Sequence, residues 1–298
     1  MNILLTGANG FVGSNIYNSL CVKHNITTIP WQEIKSDLLF SNIDVIIHCA
    51  AVSAVEKNMS DGQLEQLYQS NVTITESLAQ SGVASGVKKF IYISTIKVYG
   101  EGNNNSPYFV NSHENPKSYY GKSKLEAEIA LKRVCLNSKG MDFVILRPPL
   151  IYGPNVKGNF MSLLNLTKRT IPLPFGAIST NRRSLLYVGN LTDLISRCLY
   201  HPKAANQVFL ISDEKPLSTY EMVELMAKVQ NVKVILINIP ILIIKLLGFI
   251  TCKSDIFLRL IDSLEVDISV TQKTLDWKPP FSVEEGFLKC VENKKGKK

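Results

Sequence analysis

A glycine-rich turn directly after an apolar run is the feature of this sequence that most constrains its fold. Ile3-Leu4-Leu5 is followed by Thr6-Gly7-Ala8-Asn9-Gly10-Phe11-Val12-Gly13, in which the glycines recur every third residue. If the apolar run is a buried strand, the glycines form the turn into a helix, whose first N–H groups are unpaired and can bind phosphate. A turn between a strand and a helix at this position favours dinucleotide binding over a purely structural glycine turn.

Apolar strands and helices alternate through the first half of the chain. We predict strands at 26–29, 44–51, 88–95 and 143–147, and helices at 11–21, 62–81 and 119–136. Strands that are apolar on both faces and alternate with helices indicate a parallel sheet covered on both sides. The fold predicted is therefore α/β, a Rossmann doubly wound parallel sheet with a smaller C-terminal α/β substrate lobe.

Prolines and glycines become frequent after residue 147, which indicates a change of domain. We expect a dinucleotide-binding domain over 1–153, a mainly substrate-binding lobe over 154–291 and a basic mobile tail over 292–298. Segments around 184–212 are expected to return to the first domain. Further on, 208–212 is a predicted strand, and 219–229 and 283–291 are predicted helices.

The net charge of +8 does not by itself indicate a nucleic-acid partner. Five lysines lie between residues 289 and 298, and the other basic residues form no stripe with interleaved aromatic side chains. We therefore expect no nucleic-acid binding and regard the lysines at the end of the chain as a solvated tail.

The most apolar stretch of the chain is 232–250. Lys233, Asn238, Pro240 and Lys245 interrupt it, so its apolar runs are shorter than the ~18 to 20 residues that a membrane span needs. We predict a strand over 232–239 and a helix that begins after Pro240, with no transmembrane segment. Contact of this helix with a membrane surface is left open.

The six cysteines are scattered and form no C-x-x-C pair, and the four histidines are scattered as well. Neither a metal site nor a disulfide scaffold is indicated. No basic and apolar leader precedes Ile3, so we expect a cytoplasmic protein with reduced thiols. His48, at the end of a predicted strand, is expected to have a structural role near the nucleotide site.

Tyr120 and Lys124 form the second chemically informative pair. Four residues apart on a helix, they share a face, so the ammonium can lie near the phenol. An unperturbed phenol has a pKa near ~10, which a neighbouring cation can lower by roughly 1 to 3 units. This pair is therefore a candidate acid/base at near-neutral pH.

Ser94 and Thr95 lie at the C-terminal end of a predicted strand, the edge where doubly wound sheets bind ligands. A hydroxyl here can hydrogen-bond a substrate hydroxyl or carbonyl and share a proton path with Tyr120. The alternative is a hydroxyl that only caps the following turn.

The glycine turn, Ser94-Thr95 with Val98-Tyr99-Gly100, and Tyr120 with Lys124 together resemble the extended short-chain dehydrogenase/reductase family, in particular its NAD-dependent epimerase/dehydratase branch that acts on nucleotide sugars. The resemblance covers nearly the whole chain. It includes the helix asparagine Asn71, the run from Arg147 to Pro154, the segment from Arg183 to Leu191, and Leu275-Asp276-Trp277-Lys278-Pro279 near the end.

The resemblance implies roles for residues of this chain. It implies Tyr120 as the acid/base, Lys124 as the residue that binds the nicotinamide ribose and tunes Tyr120, and Thr95 as the contact to the reacting sugar carbon. The cofactor-binding residues that it implies are Gly7, Asn9, Gly10, Phe11, Val12, Gly13, Asp37, Leu38, Ala50, Ala51, Asn71, Ser94, Lys124 and Pro148. The substrate-binding residues are Thr95, Lys97, Tyr120, Asn159 and Arg183, with the Arg183 guanidinium suited to a nucleotide diphosphate.

Two departures from the family pattern are informative. Ile96 and Lys97 stand where dehydratases of this branch have an acidic pair, which argues against water elimination. The end of the second strand, Ile29-Pro30-Trp31-Gln32, has neither the acidic residue that binds the ribose 2′-hydroxyl of NAD nor an arginine for NADP. The choice between NAD and NADP stays open, with a slight preference for NADP.

The resemblance therefore implies an enzyme acting at C4 of a UDP-hexose or UDP-N-acetylhexosamine in polysaccharide precursor synthesis. A 4-epimerase would pass hydride from C4 to bound NAD and the hydroxyl proton to Tyr120, then return hydride to the other face. A 4-keto reductase would take hydride once from NADPH. The alternatives are a non-catalytic NAD(P)-binding sensor or scaffold and a reductase of a hydrophobic ketone. The resemblance also allows a homodimer.

Overall fold

The structure is a computed structural model of the chain. It describes residues 1–34, 40–52, 59–103, 106–138, 140–169, 171–250 and 254–295.

The first half of the chain alternates strands and helices. In chain order its elements are β1 (Asn2–Thr6), α1 (Phe11–Leu20), β2 (Asn25–Ile29), β3 (Val45–His48), α2 (Asp61–Tyr68), α3 (Ile74–Ala84), β4 (Lys89–Ile93), α4 (Tyr119–Ser138) and β5 (Asp142–Arg147). A π-helical turn, Gln69–Thr73, joins α2 to α3.

The second half has short strands and more helices. They are β6 (Leu150–Tyr152), α5 (Asn159–Thr167), β7 (Leu185–Tyr187), α6 (Val188–Tyr200), β8 (Gln207–Leu210), α7 (Thr219–Val229), α8 (Ile241–Ile250), α9 (Ser254–Ile261), α10 (Ser269–Leu275) and α11 (Val283–Lys295).

Six of the strands form one parallel sheet in the order β2-β1-β3-β4-β5-β8. The chain runs outward from β1 to β2 and then crosses to β3 on the other side of β1, so the direction of the sheet reverses between β1 and β3. Such a switch point leaves a crevice at the carboxyl ends of the two strands. The glycine turn and Ala50 both lie at this edge.

Alternate residues of the central strands pack into two separate cores, one on each face of the sheet. Ile3 and Leu5 pack on the face that α1 and α6 cover, whereas Leu4 packs on the opposite face beside α3 and α4. The same alternation continues in β3, β4 and β5. Burial on both faces explains the continuous apolar strands, and the predicted α/β, doubly wound parallel fold is confirmed.

A third core builds the smaller lobe. Strands β6 and β7 pair in parallel, and Tyr152 stacks on Phe160 at 5.0 Å between ring centroids and meets Phe287 edge-on at 5.1 Å. Helices α5, α7 and α11 contribute to the same apolar cluster. Strand β8 returns to the large sheet beside β5, which joins the two lobes.

The strand predicted over 232–239 is wrong. This segment is irregular, and its ladder contact is a single bridge from Leu236 to Leu173. The Leu173 N–H donates to Ile235 O (2.8 Å), and the Ile237 N–H donates to Leu173 O (2.9 Å). The segment therefore pairs with one short stretch of chain and not with a sheet. The helix predicted after Pro240 is confirmed as α8. No helix within the described residues is long and apolar enough to cross a membrane.

Candidate active site

The glycine turn brings backbone atoms closer together than any side chain would permit. Gly7 has a φ of +73°, and a Cβ there would lie 2.7 Å from the Ala50 nitrogen. A Cβ on Gly13 would lie 2.1 Å from the Gly7 oxygen. Only glycine fits these two positions, as the cradle for a pyrophosphate requires.

The N-terminus of α1 completes this cradle. Gly10 precedes the helix in an extended conformation and, having no side chain, does not cap it. No acidic residue lies in the first turn, so the N–H groups and the positive end of the helix dipole favour an anion. Phe11 contacts the position of Gly153, while Asn9 is exposed at the rim. These features fit the diphosphate of a dinucleotide.

A buried histidine fixes the floor of the cradle. His48 Nδ1 lies 2.5 Å from the Thr6 hydroxyl, and Nε2 lies 3.0 Å from the Thr75 hydroxyl. The Thr75 hydroxyl donates to Asn71 O at 2.7 Å, so it accepts from Nε2–H, and Nδ1 accepts from Thr6. Burial, and then the charge of Lys124, lowers the pKa of His48 to about 3. The ring is therefore neutral, and both of its nitrogens form hydrogen bonds within the protein.

Asn71 positions the loop that follows β3. Its side-chain oxygen accepts from Val52 N–H at 2.8 Å, and its amide donates to Val52 O at 3.1 Å and to the Ser123 hydroxyl at 3.0 Å. The Ser123 hydroxyl donates in turn to Tyr120 O. Asn71 thus links the loop after Ala50 and Ala51 to helix α4. Its predicted contact with the cofactor stays a prediction.

Lys124 is a buried cation at the same edge of the sheet. It is 1% exposed, and its Nζ lies 4.0 Å from the centre of the Tyr92 ring. Burial lowers its pKa to about 7, against the opposing effects of Glu128 and Cys49. A cation held over an aromatic face in a dry site is stabilised without a fixed counter-ion.

The pKa of Tyr120 moves in the direction opposite to the one expected from its spacing to Lys124. Burial raises it to about 12. Burial of the phenol is the cause, and the Lys124 ammonium does not offset it, so the expected lowering is wrong for the protein alone. A further positive charge beside the phenol would act against this burial effect.

Thr95 and Ser94 follow β4 but face different partners. The Thr95 side-chain oxygen accepts from Lys97 N–H at 3.3 Å and caps a single 3₁₀ turn, Ile96–Val98. The Thr95 hydroxyl proton remains able to reach an acceptor outside the turn. The Ser94 hydroxyl instead donates to buried Glu128, so only its oxygen can accept from a further partner, and its predicted cofactor contact stays a prediction.

A buried ion pair supports this region, and sequence reasoning did not find it. Arg147 Nε lies 3.0 Å from Glu128 Oε1, and its Nη2 lies 2.5 Å from Oε2; both side chains are fully buried. Arg147 also donates to the Tyr99 hydroxyl at 2.6 Å and contacts Glu114. Because Glu128 is one helical turn beyond Lys124, this network fixes α4 against the ends of β4 and β5.

The residues predicted to meet the substrate lie farther along the same edge. The Lys97 ammonium pairs with Glu101 at 2.8 Å, and Glu101 also accepts from the Ser118 hydroxyl at 2.7 Å. Arg183 donates to Asp262 O at 2.8 Å, and burial lowers its pKa to about 10. Substrate contact by Lys97 would require its ion pair to open.

The remaining predicted site residues are less informative. Asn159 is exposed at the start of α5, Val12 is half-buried in α1, and Pro148 follows β5 with its oxygen accepting from Ile96 N–H at 2.9 Å. Asp37 and Leu38 lie outside the described residues. Within the described residues no group of three or more metal-ligating side chains occurs.

A dinucleotide cradle at the switch point, with a threonine, a tyrosine and a buried lysine at the same sheet edge, defines a nucleotide-dependent enzyme of the short-chain dehydrogenase/reductase class. Comparison with known sequences gives the family. Residues 3–212 match the NAD dependent epimerase/dehydratase family, and the chain belongs to it. The resemblance stated from the sequence is thereby confirmed.

Individual relatives agree with this assignment. The chain is 42% identical to a UDP-glucose 4-epimerase of Vibrio cholerae over 98% of its own length and 94% of the relative. It is 28% identical to an N-acetyl-alpha-D-glucosaminyl-diphospho-ditrans,octacis-undecaprenol 4-epimerase of Escherichia coli O157:H7, over 80% and 75%. Its fold resembles UDP-glucuronic acid 4-epimerase from Bacillus cereus in complex with NAD, with a TM-score of 0.79, 20% identity and 99% coverage of both chains.

Proposed function

We propose that this protein is a 4-epimerase of a UDP-hexose or UDP-N-acetylhexosamine. The observation that carries the proposal is the set of Thr95, Tyr120 and Lys124 beside the glycine cradle, in a chain that is 42% identical along nearly its whole length to a UDP-glucose 4-epimerase. In the roles proposed here, these residues would supply what removal and return of hydrogen at a carbinol carbon requires: a cofactor cradle, a base and a hydroxyl that orients the substrate.

When bound, the nicotinamide supplies the acceptor and donor of hydride at C4. Gly7, Gly10 and Gly13 would hold its pyrophosphate, and Lys124 would bind the nicotinamide ribose. Tyr120 would take the proton of the C4 hydroxyl and later return it. Thr95 would orient the same oxygen through its hydroxyl. The positive charge of an oxidised nicotinamide would oppose the burial that raises the pKa of Tyr120.

An epimerase explains the chain better than a 4-keto reductase or a dehydratase. The Vibrio and Escherichia relatives are both 4-epimerases by name. Ile96 is buried where dehydratases of this branch have an acidic side chain, and Lys97 is paired with Glu101, so no acid for water elimination follows Thr95. An epimerase returns its hydride to the substrate and consumes no cofactor.

For the cofactor we propose NAD, which the family description names. Within the described residues 29–34, at the end of β2, there is no lysine or arginine to bind a 2′-phosphate. The slight preference for NADP from the sequence stays a competing prediction. Extraction of the dinucleotide from the purified protein, followed by chromatography against NAD and NADP standards, distinguishes the two.

The experiment that tests the activity is a screen of UDP-, GDP- and dTDP-hexoses and N-acetylhexosamines with product analysis at C4. We expect a C4 epimer from a UDP-sugar. Tyr120→Phe should lower turnover by about 10² to 10⁴ while leaving the dinucleotide bound. Undiminished turnover in Tyr120→Phe would contradict the assigned base. No turnover of any sugar by the wild type would favour the sensor or scaffold.

A second candidate substrate is a sugar carried on a lipid diphosphate. Two observations favour it: the Escherichia relative is named for such a substrate, and α8 exposes apolar side chains such as Leu242 and Phe249. Parallel assays with a polyprenyl-diphosphate sugar and the matching UDP-sugar separate the two carriers. A much higher kcat/KM for the sugar on the lipid diphosphate would identify it, and not the UDP-sugar, as the substrate.

We also propose a cytoplasmic homodimer. Cys21, Cys49, Cys135 and Cys198 form no disulfide, which fits a reducing compartment. Helix α4 exposes Ile129 and Leu136, an apolar face suited to a partner. Light scattering of the purified protein gives the oligomeric state, and a monomer at micromolar concentration would contradict the dimer.

A further inference from the structure

Helix α8 carries an apolar face that is exposed among the residues that the structure describes. Leu242 and Phe249 are 80% and 76% exposed, and Ile243, Leu246 and Ile250 are exposed as well. At 100° per residue these five side chains fall within an arc of about 120°. We call this arc the α8 face.

The opposite side of the helix is anchored to the smaller lobe. Ile244 is buried in its core, and a Cβ on Gly248 would lie 3.1 Å from the ring of Phe257 on α9. The α8 face is therefore the outer side of a helix whose inner side packs against the smaller lobe.

The apolar surface continues beyond α8. Ile235 and Ile237, in the segment that leads into the helix, are exposed, and so is Ile171 on the neighbouring stretch of chain. Backbone hydrogen bonds between Leu173 and both Ile235 and Ile237 hold the two stretches side by side. A surface of this extent, rimmed by polar residues, is typical of an interaction site.

The stretch of chain that leads into α8 and forms it carries charges of one sign. Lys233 and Lys245 are exposed beside the apolar residues, and the sequence from 225 to 254 contains no Asp or Glu. Lys245 lies at one edge of the α8 face, where its ammonium can reach phosphate while its methylenes stay with the apolar side chains. A second copy meeting the same face about a twofold axis would bring like charges together.

We infer that the α8 face docks on the surface of an anionic lipid bilayer. Leu242, Leu246 and Phe249 enter the boundary between headgroups and acyl chains, and Lys233 and Lys245 bind lipid phosphates. The helix lies in the plane of the surface, because its ten residues span about 15 Å and cannot cross a bilayer. The inference holds for either carrier of the sugar, since it depends only on this surface.

The test is flotation of the full chain with vesicles of phosphatidylcholine and phosphatidylglycerol in equal parts, compared with phosphatidylcholine alone. We expect the wild type to float with the anionic vesicles, with less binding to the neutral ones and loss in high salt. The double variant L242S/F249S should lower the bound fraction by about tenfold or more and keep the wild-type circular dichroism and turnover of a soluble UDP-sugar.

A matched control is V22S/V270S, which removes two exposed apolar side chains that lie outside both the α8 face and the apolar face of α4. It should bind vesicles like the wild type. The inference is overturned if the wild type does not bind anionic vesicles, if L242S/F249S binds as well as the wild type, or if the control loses binding equally. It is also overturned if L242S/F249S converts a dimer to monomers, because a second copy would then cover the face.

Discussion

At the scale of single residues, burial sets the protonation states at the site. The same desolvation that raises the pKa of Tyr120 to about 12 lowers that of Lys124 to about 7 and that of His48 to about 3. Burial therefore disfavours both the Tyr120 phenolate and the Lys124 ammonium, and the Tyr92 ring and Glu128 offset this effect only in part for Lys124. Spacing along α4 indicates which residues meet, but not this shared loss of solvent.

Lys124 should make stability depend on pH. Its folded pKa of about 7 lies below its ordinary value of 10.5, so between these values the unfolded chain binds the proton and the folded protein does not. The free energy of unfolding should therefore rise with pH through this window. Urea denaturation near pH 7 and about pH 9 measures the rise.

Lys124→Met should remove most of that rise, whereas Lys122→Met, at an exposed position on the same helix, should retain it. Equal pH slopes in the wild type and Lys124→Met would show that the lysine is not desolvated as described.

Gly13→Ala tests the cradle at a single atom. The added Cβ would lie 2.1 Å from the Gly7 oxygen, so backbone must move and the anion site must distort. We expect loss of dinucleotide binding by calorimetry and a destabilisation of about 1 to 3 kcal/mol. The control is Gly62→Ala in α2, where a Cβ meets nothing within 4 Å and helix propensity improves. If Gly13→Ala binds the dinucleotide as the wild type does, Gly13 and the Gly7 oxygen are not as close as described.

At the scale of elements, the sequence predicts what periodicity and turn chemistry determine. The central strands, α1, α4, α7 and the helix after Pro240 are confirmed because each has a local signal. The segment 232–239 has the alternation of a strand but lacks a partner strand, and pairing is not encoded locally. The π-helical turn at Asn71 likewise depends on its contacts with Val52 and Ser123.

The Glu128–Arg147 ion pair was not predicted from the sequence for a related reason. Its two residues lie on α4 and β5, and their contact depends on how the helix packs on the sheet. A glutamate in an amphipathic helix is usually solvated, so only the fold indicates that this one is fully buried. Thr95, Tyr120 and Lys124 could be predicted as site residues because family motifs mark them.

Breaking this ion pair should be costly. Arg147→Met leaves the Glu128 carboxylate buried without its main partner, and we expect a loss of about 3 to 5 kcal/mol in urea denaturation. Arg133→Met, which removes the exposed pair with Glu76, should cost at most about 1 kcal/mol. If both changes cost the same small amount, the buried network does not hold α4 on the sheet. If the double variant Arg147→Met/Glu128→Leu regains much of the lost stability, the unpaired Glu128 charge is the cause of the loss in Arg147→Met.

At the scale of the whole molecule, the chain leaves the large sheet at β5, builds the smaller lobe and returns through β8. Asp213, three residues beyond β8, accepts from Tyr187 N–H at 2.8 Å and from the Asn190 side chain at 2.7 Å. Asn190 in turn bonds both backbone groups of Phe281. These hydrogen bonds connect the segment after β8 with β7, with the first turn of α6 and with the chain just before α11.

The most direct measurement of the proposed activity follows the hydrogen at C4. A UDP-hexose or UDP-N-acetylhexosamine labelled with deuterium at C4 is incubated with the purified protein, and the product is analysed by NMR and mass spectrometry. We predict the C4 epimer with deuterium retained at C4 and no net change in nicotinamide absorbance. Loss of the label, or a product that forms only as NADPH is consumed, would contradict 4-epimerisation.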